Sequence, residues 1–450
     1  MLRRLFNNPA IPPEYRSNFS RFFWDIGWFG ILSGSAVNFI NVYATRLGAS
    51  GFQIGLLAAV PAVVTLIFAI PAGGWLEKRA VGRTVAWGTV LNRAGYLLWI
   101  PLPWLFGNQG QIWTLILLAL LMGLPLTIVT VGFNAMFATA VPSEWRAYVA
   151  GGRNIVYAVT FIVSSLGSGY LLDHVAFPIG YQIVFGIGFL GAMLSSYQLF
   201  FIKTFPIANT PDPSTSSPVP AALVQVGQRH HPVPIEKSRP RRGWTASLRL
   251  DIWRGPFAAI LLGMMFFHLA QYMAFPLFPL YVVRVLHLTD AEIGIGTSLF
   301  YLTMLLGSTQ LDQLVRKVGN HKVTAWGVAF LCLYPMLLAL SRNSLGYYAL
   351  SAVCGGIWGM VNGAYANYLL DHIPAHDRPA HLAWYNVVLN AGILAGSLAA
   401  PELARLTSLM WALLIIGGLR FLAGMALLRW GNPARGPEGA NAGTVLESRK

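Results

Sequence analysis

Acidic residues are scarce in this chain: 16 Asp and Glu stand among 450 positions, against 31 Lys and Arg, and charged residues of both signs make up only 10%. Soluble globular chains are charged at roughly a quarter of their positions, so the 55% apolar content cannot be wrapped in a water-facing surface. Cysteine is scarcer still. Its two copies, Cys332 and Cys354, fall inside apolar runs, which excludes a disulfide framework and a Cys/His metal cluster and leaves them as small packing residues. The His230-His231 pair lies in a Pro-rich segment and has no further ligands at metal spacing. A Gly-x-x-x-x-Gly-Lys-Ser/Thr loop is missing, so ATP is not the expected energy source. No His-Glu-x-x-His, paired-carboxylate or Ser/His arrangement occurs within the apolar runs to support an enzyme, and no cofactor or metal is implied.

Long apolar runs are what the chain does have, and its mean hydropathy is +0.57. Each is long enough to cross about 30 Å of hydrocarbon at roughly 1.5 Å per residue. They fall at 22–46, 52–73, 84–106, 112–140, 148–172 and 179–202, then at 255–284, 291–313, 322–341, 345–370, 380–404 and 407–430. In lipid every span must satisfy its own backbone groups, which dictates helix. The expected fold is an all-α integral membrane protein with twelve transmembrane helices in two six-helix bundles. Residues 1–21 form an N-terminal segment, 22–202 and 255–430 the bundles, 203–254 a linker and 431–450 a tail.

The formal charge of +15 would suggest nucleic acid in a soluble protein, but the positions of the basic residues say otherwise. With the termini and linker on one side, 24 of the 31 Lys and Arg fall on that side. Only Arg46, Arg284, Arg342 and Arg405 fall opposite, and Arg93, Arg153 and Arg420 lie within spans. This bias places both termini in the cytoplasm of a cell membrane. Residues 1–21 are basic and contain proline, and the apolar run from Phe22 exceeds a signal h-region, so no cleavable signal is expected. Pro206, Pro211, Pro213, Pro218, Pro220, Pro232, Pro234 and Pro240 make the linker a tether. At its end, Trp244, Leu248 and Trp253 alternate with Arg241, Arg242 and Arg249, fitting either a short helix in the inner headgroup layer of membrane lipids or a basic flank of the next span.

The two halves repeat one plan. Without a gap, Phe39 to Gly88 aligns on Phe278 to Gly327, pairing Ile54-Gly55 with Ile293-Gly294, Arg83 with Lys322, and Ala86-Trp87-Gly88 with Ala325-Trp326-Gly327. A second register pairs Pro142 with Pro374, Arg146 with Arg378, Asn154 with Asn386 and Ser165 with Ser397. Membrane proteins built from two parallel copies hold their working site between them.

Six spans, a long basic loop and six more spans resemble the major facilitator superfamily over residues 15 to 430. That family carries a Gly, Asp, Arg, Gly, basic pattern after spans 2 and 8. Here Gly73-Gly74-Trp75-Leu76-Glu77-Lys78-Arg79-Ala80-Val81-Gly82-Arg83 and the stretch from Asp312 through Arg316 and Gly319 to Lys322 occupy those places. Aligned on Gly82 and Gly319, the family's acid is replaced by Arg79 and Arg316, and only a two-residue slip puts Glu77 there. The loops after spans 4 and 10 keep a Pro before an Arg, ending in Arg146 and Arg378. The resemblance implies gating roles for these residues, and a monomer that moves a small organic solute by alternating access. A lipid scramblase or a sensor on the same fold is the alternative.

The resemblance also implies that spans 1, 4, 7 and 10, with parts of 2, 5, 8 and 11, line a central cavity. Polar side chains within those spans are then the cavity candidates, because polar groups in hydrocarbon are costly unless they face water or another helix. They are Asn38, Asn41, Thr130, Asn134, Arg153, Asn154, His268, Gln271, Tyr272, Asn362, Tyr365 and Asn386; each can equally serve as interhelical glue. Asp25, Asp173, Asp312, Asp371 and Glu402 are the acids nearest the membrane, all within about two turns of an expected helix end. Asp25 and His268 are each a proton-coupling group or a structural partner. Arg153, on a span that borders the cavity, can reach Asp25 or an anionic group, whereas Arg93 and Arg420, on spans the family places outside, are expected to snorkel or brace loops. Gly27, Gly30 and Gly34 in span 1, Gly355, Gly356, Gly359 and Gly363 in span 10, and Pro125, Pro276 and Pro279 suggest close contacts and hinges.

Overall fold

A computed structural model describes residues 8–76, 79–203, 249–373 and 377–431. Among them every regular element is helical. The first half consists of α1 (Pro13–Leu32), α2 (Asn38–Arg46), α3 (Gly51–Leu76), α4 (Val81–Ala94), α5 (Leu102–Leu105), α6 (Asn108–Ala140), α7 (Arg146–His174) and α8 (Ile179–Phe200). The second consists of α9 (Phe257–Ala274), α10 (Leu277–Arg284), α11 (Asp290–Phe330), α12 (Leu333–Leu340), α13 (Ser344–His372), α14 (Arg378–Leu406) and α15 (Leu409–Trp430). Nine stretches among the described residues are long and apolar enough to cross a bilayer.

The differences from the expected twelve spans have local causes. The first span is not one α-helix: a π-helical turn at Ser33–Val37 separates α1 from α2. It also starts earlier than Phe22, because Pro13 sits in the first turn, where its missing N–H costs nothing. Asp25 therefore lies about three turns inside a rod rather than near its end. The third span is broken by a 3-10 stretch at Gly95–Trp99. Expected spans 8 and 9 form the single stretch Asp290–Leu340, divided where Gly319 takes φ 83° and ψ 157°, a backbone conformation closed to residues with a Cβ. Thr289 and Glu292 start α11 with a reciprocal capping box.

Pro125 sits inside α6 without ending it, whereas Phe275 and Pro276 form the turn between α9 and α10. The glycine stripes are contact surfaces. A Cβ on Gly30 would stand 2.0 Å from Thr160 Oγ1, and one on Gly34 2.4 Å from the Phe161 carbonyl, so the absence of side chains there lets α7 approach the first rod closely. Gly355 and Gly359 let α13 press equally close to the Phe300 and Met304 carbonyls of α11. Large apolar side chains that a soluble fold would bury point outward, among them Leu91, Leu345 and Leu406, with Trp104 and Trp430 near rod ends. Such a surface faces lipid, with Trp at the interface.

The halves meet along two seams, α7 on α11 and α3 on α14, and the sequence repeat describes them. Gly55 approaches the Ser397 carbonyl, where a Cβ would stand at 2.3 Å; Gly294, its register mate, approaches the carbonyl of Ser165, the mate of Ser397, at 2.8 Å. The repeated residues thus touch crosswise about a pseudo-twofold axis.

Candidate functional site

At the bundle end formed by residues 47–50 and 285–289, the halves are tied by hydrogen bonds. Arg46 Nη2 donates to the Leu288 carbonyl at 3.1 Å, and Arg284 Nη2 donates to the Ala49 carbonyl at 2.5 Å. Leu288 and Ala49 are register mates, and the two arginines are one residue from being so. Among the described residues, only one of the two arginines meets a carboxylate. Arg46 also grips Asp290 through Nε at 3.0 Å and Nη2 at 2.9 Å. Tyr181 Oη donates to the same carboxylate at 2.9 Å, while the Asp290 amide donates to Asp173 Oδ1 at 2.9 Å.

Behind this tie lies a cavity of about 340 Å³ between the halves. The π-helical turn contributes Ser33 and Val37, which fits the habit of such turns to sit at functional sites. Asn38, Asn41 and Gln271 line it, and aromatic rings, including Phe278, Tyr301 and Trp358, form much of the remaining wall. The ring of Tyr301 lies 3.8 Å from that of Phe161 across the α7–α11 seam. An apolar cleft with a few polar groups is the usual form of a small-molecule site, and the volume lies at the lower end of the usual range of roughly 300–1,000 Å³.

The other candidates lie off this cavity. Thr130 Oγ1 bonds to the Thr127 carbonyl at 2.9 Å and Asn386 Nδ2 to the Leu382 carbonyl at 2.9 Å, each within its own helix. Asn134, Asn154, Tyr272, Asn362 and Tyr365 are half-buried on α6, α7, α9 and α13. His268 is buried beside Tyr385, its Nε2 3.1 Å from the phenol oxygen.

Asp25 and Arg153 are brought together. Arg153 Nη1 donates to Asp25 Oδ2 at 2.9 Å and to the Phe22 carbonyl at 3.0 Å, and Ser195 Oγ donates to Asp25 Oδ1 at 2.6 Å. Arg93 does not snorkel. It is buried, with Nη2 4.0 Å from Asp25 Oδ1 and Nη1 donating to Ser196 Oγ at 3.1 Å. Arg420 departs further from expectation: only 2% exposed, it lines the cavity and donates to the carbonyls of Gln271, Leu331 and Ala270 at 2.9, 3.2 and 3.4 Å. The helices on either side supply these acceptors, so neither cation needs to reach the headgroups.

The loop residues are mostly at the surface. Gly73 is within α3 and Gly82 within α4, while Glu77 and Pro374 lie outside the described residues. Arg79 stacks over Trp75 at 4.3 Å, Arg83 and Lys322 are exposed, and Arg316 pairs with Asp312 at 2.8 Å on an exposed helix face. Arg146 donates to the Ala138 and Val141 carbonyls, satisfying the last turn of α6, and Arg378 starts α14. Of the linker's basic end only Arg249 onward is described; Arg249 joins Asp251 and Asp377 at 2.9 and 2.6 Å.

Sequence reasoning missed Asp290, Ser195 and the cavity role of Arg420. Asp290 had a signal, since the Thr289-x-x-Glu292 box fixes it in the first helical turn. Ser195 had none.

The family model described as Major Facilitator Superfamily matches residues 22–267 and again 260–447. The chain belongs to the major facilitator superfamily. Among curated relatives in this family, the Quinolone resistance protein NorA of Staphylococcus aureus is 25% identical over 122 residues, 27% of this chain and 31% of that protein. The chain thus spans about a third of NorA. The cis,cis-muconate transport protein of Acinetobacter baylyi is 21% identical over 303 residues, 65% of this chain and 66% of that protein. Among solved structures, the nucleoside transporter NupG superposes with a TM-score of 0.63 at 13% identity, over 92% of this chain and 98% of that chain. A bacterial homologue of the iron transporter ferroportin gives 0.65 at 13% identity in its inward-facing state, over 92% and 98%, and 0.57 at 12% in its outward-facing state with soaked iron, over 94% and 100%. These likenesses show the fold. The protein is a membrane protein of a transporter family.

Proposed function

We propose that the protein is a secondary transporter of twelve spans that carries a small organic solute by alternating access, with both termini and the 203–254 linker in the cytoplasm. The observation that carries this reading is the cavity between pseudo-symmetric halves, tied at one end by Arg46, Asp290 and Arg284. With cytoplasmic termini, that tie is the outer gate and the structure faces inward; the higher TM-score against the inward-facing ferroportin homologue supports this orientation. Alternating access then requires the tie to break while the two seams rock. Asp25, held between Arg153 and Arg93, is proposed as the ion-pair centre of the N-terminal half, since parting it from either cation would strand a buried charge.

Flux of labelled solutes through the purified protein in sealed liposomes tests the reading: saturable, protein-dependent uptake is expected. Movement of labelled lipid without solute flux would replace it with a scramblase. Cysteines placed at Gly107 and Ser216 test the orientation, since only the former should react with an impermeant label from outside intact cells.

A further inference from the structure

A cation buried without a counter-charge is the least explained group in this molecule. Arg420 is held on α15 by three backbone carbonyls, and among the described residues no carboxylate pairs with it. A guanidinium carries five N–H donors. The three bonds leave two donors and the whole charge uncompensated, in a low-dielectric wall where an unpaired ion is expensive. Arg93, the other buried arginine proposed to snorkel, differs on this point because Asp25 stands 4.0 Å away.

A second observation stands beside it. Gln271, on the cavity wall, accepts the Arg420 bond through its backbone oxygen, while its side-chain Oε1 is buried with no partner. A buried orphan acceptor costs about as much as a lost hydrogen bond. One wall thus holds unused donors with positive charge and an unused acceptor, both covered in this state. Aromatic rings form much of the rest of the cavity, with Phe278 and Trp358 on the same half and the amides of Asn38 and Asn41 opposite.

We propose that Arg420 and Gln271 form the anion seat of the transport cavity, and that the solute class is an organic anion with a flat apolar body, a carboxylate for the guanidinium and a donor for Gln271 Oε1. This rests on the transporter reading and adds the substrate class to it. Phe278, whose ring centre is 5.9 Å from the guanidinium carbon, screens the cation in this state, so the anion gains the guanidinium by turning that ring aside. A wall of rings alone would favour a cation; Arg420 reverses that preference.

Equilibrium dialysis of the purified full chain against 2-naphthoate, 2-naphthamide and 2-naphthyltrimethylammonium at pH 7 tests the seat. The anion should bind about tenfold or more tightly than the amide, the increment expected of a charge-assisted bond, and the cation least. Arg420→Lys should keep part of the anion preference and Arg420→Gln should remove it. If neither Arg420 variant folds, Thr297→Trp, which adds bulk at another residue of the cavity wall, should abolish anion binding with Arg420 in place. Equal binding of anion and amide, preference for the cation, binding of none of the probes, or an unchanged preference in Arg420→Gln would each overturn the seat. Because dialysis needs no flux, naphthoate binding without solute movement in liposomes would leave the seat standing and remove only the transport reading.

Discussion

The N-terminal half buries a charged cluster where the C-terminal half buries a neutral one. Arg153 and Tyr385 are register mates. Arg153 bonds to Asp25 on the first rod, and Tyr385 bonds to His268, about one turn from the matching place on α9. The frame is duplicated while the buried chemistry is not. In hydrocarbon an ion pair has to be complete, because each half of it is costly alone, whereas a phenol-imidazole contact survives the loss of one partner at modest cost. The first half therefore depends on both partners of its cluster. The second places Arg420, a buried cation with no carboxylate partner among the described residues, at the cavity itself.

Removal of Arg153 should give the largest difference between the halves. Arg153→Ala leaves Asp25 buried with Arg93 as a distant partner, and should cost about 3–5 kcal/mol. Tyr385→Phe should cost about 1 kcal/mol. Thermal unfolding of both variants in detergent measures this, and equal losses would end the comparison. Adding Asp25→Asn to Arg153→Ala should cost less than the two single losses summed, since the second change removes the stranded charge.

The seams come next. Gly55→Ala and Gly294→Ala push a methyl against a carbonyl of the opposite half, a strain of about 1–3 kcal/mol relieved by separating the seam. Spin labels on the loops at 47–50 and 285–289 should report a longer distance in both variants and a greater one for Gly55→Ala, where the approach is closer. No lengthening would mean that these contacts do not hold the halves shut.

The tie itself should be lopsided. Arg46→Gln loses charged bonds to Asp290, worth about 1.5–3 kcal/mol and toward the lower end because the Arg46 side chain is 29% exposed, while Arg284→Gln loses only a bond to a carbonyl. The same labels should show Arg46→Gln opening this end further. Reversal of that order would shift the weight of the tie to Arg284.

The smallest effect should come from the serines that face the seam glycines. Ser165 Oγ accepts from Asn38 Nδ2 at 3.1 Å, but the matching place on α10 is Leu277, and Ser397 Oγ is buried without a partner. Ser165→Ala should cost about 1 kcal/mol, whereas Ser397→Ala should be neutral to within about 0.5 kcal/mol. A clear loss for Ser397→Ala would show a bond that the static geometry lacks.

Much of the architecture was legible because it depends on quantities that add along the chain. Scarce charge and apolar runs give membrane helices, since lipid cannot satisfy an open backbone. The repeat was also legible, and Gly55, Ser165, Gly294 and Ser397 stood out before their contact was known. The site was less so. Asp25 and Arg153 could be paired on depth alone, and Asn38, Asn41 and Gln271 stand on the cavity wall, but Thr130 Oγ1 and Asn386 Nδ2 donate to carbonyls of their own helices. A helix packed between lipid and protein is apolar on every side, so its sequence does not reveal which face turns inward.

By itself, then, the sequence determined the class of solvent, the helical state, the duplication and the positions at which the copies resemble each other. Tertiary structure decided which charges have partners. The π-helical turn puts Ser33 and Val37 on the cavity wall, the early start at Pro13 carries Asp25 inside the bundle, and the carbonyls around Arg420 hold a cation that was expected to reach for water. The reason is that the cost of a buried charge is set by atoms within about 4 Å of it, and around Arg420 those atoms come from residues 89 to 150 positions away in the chain.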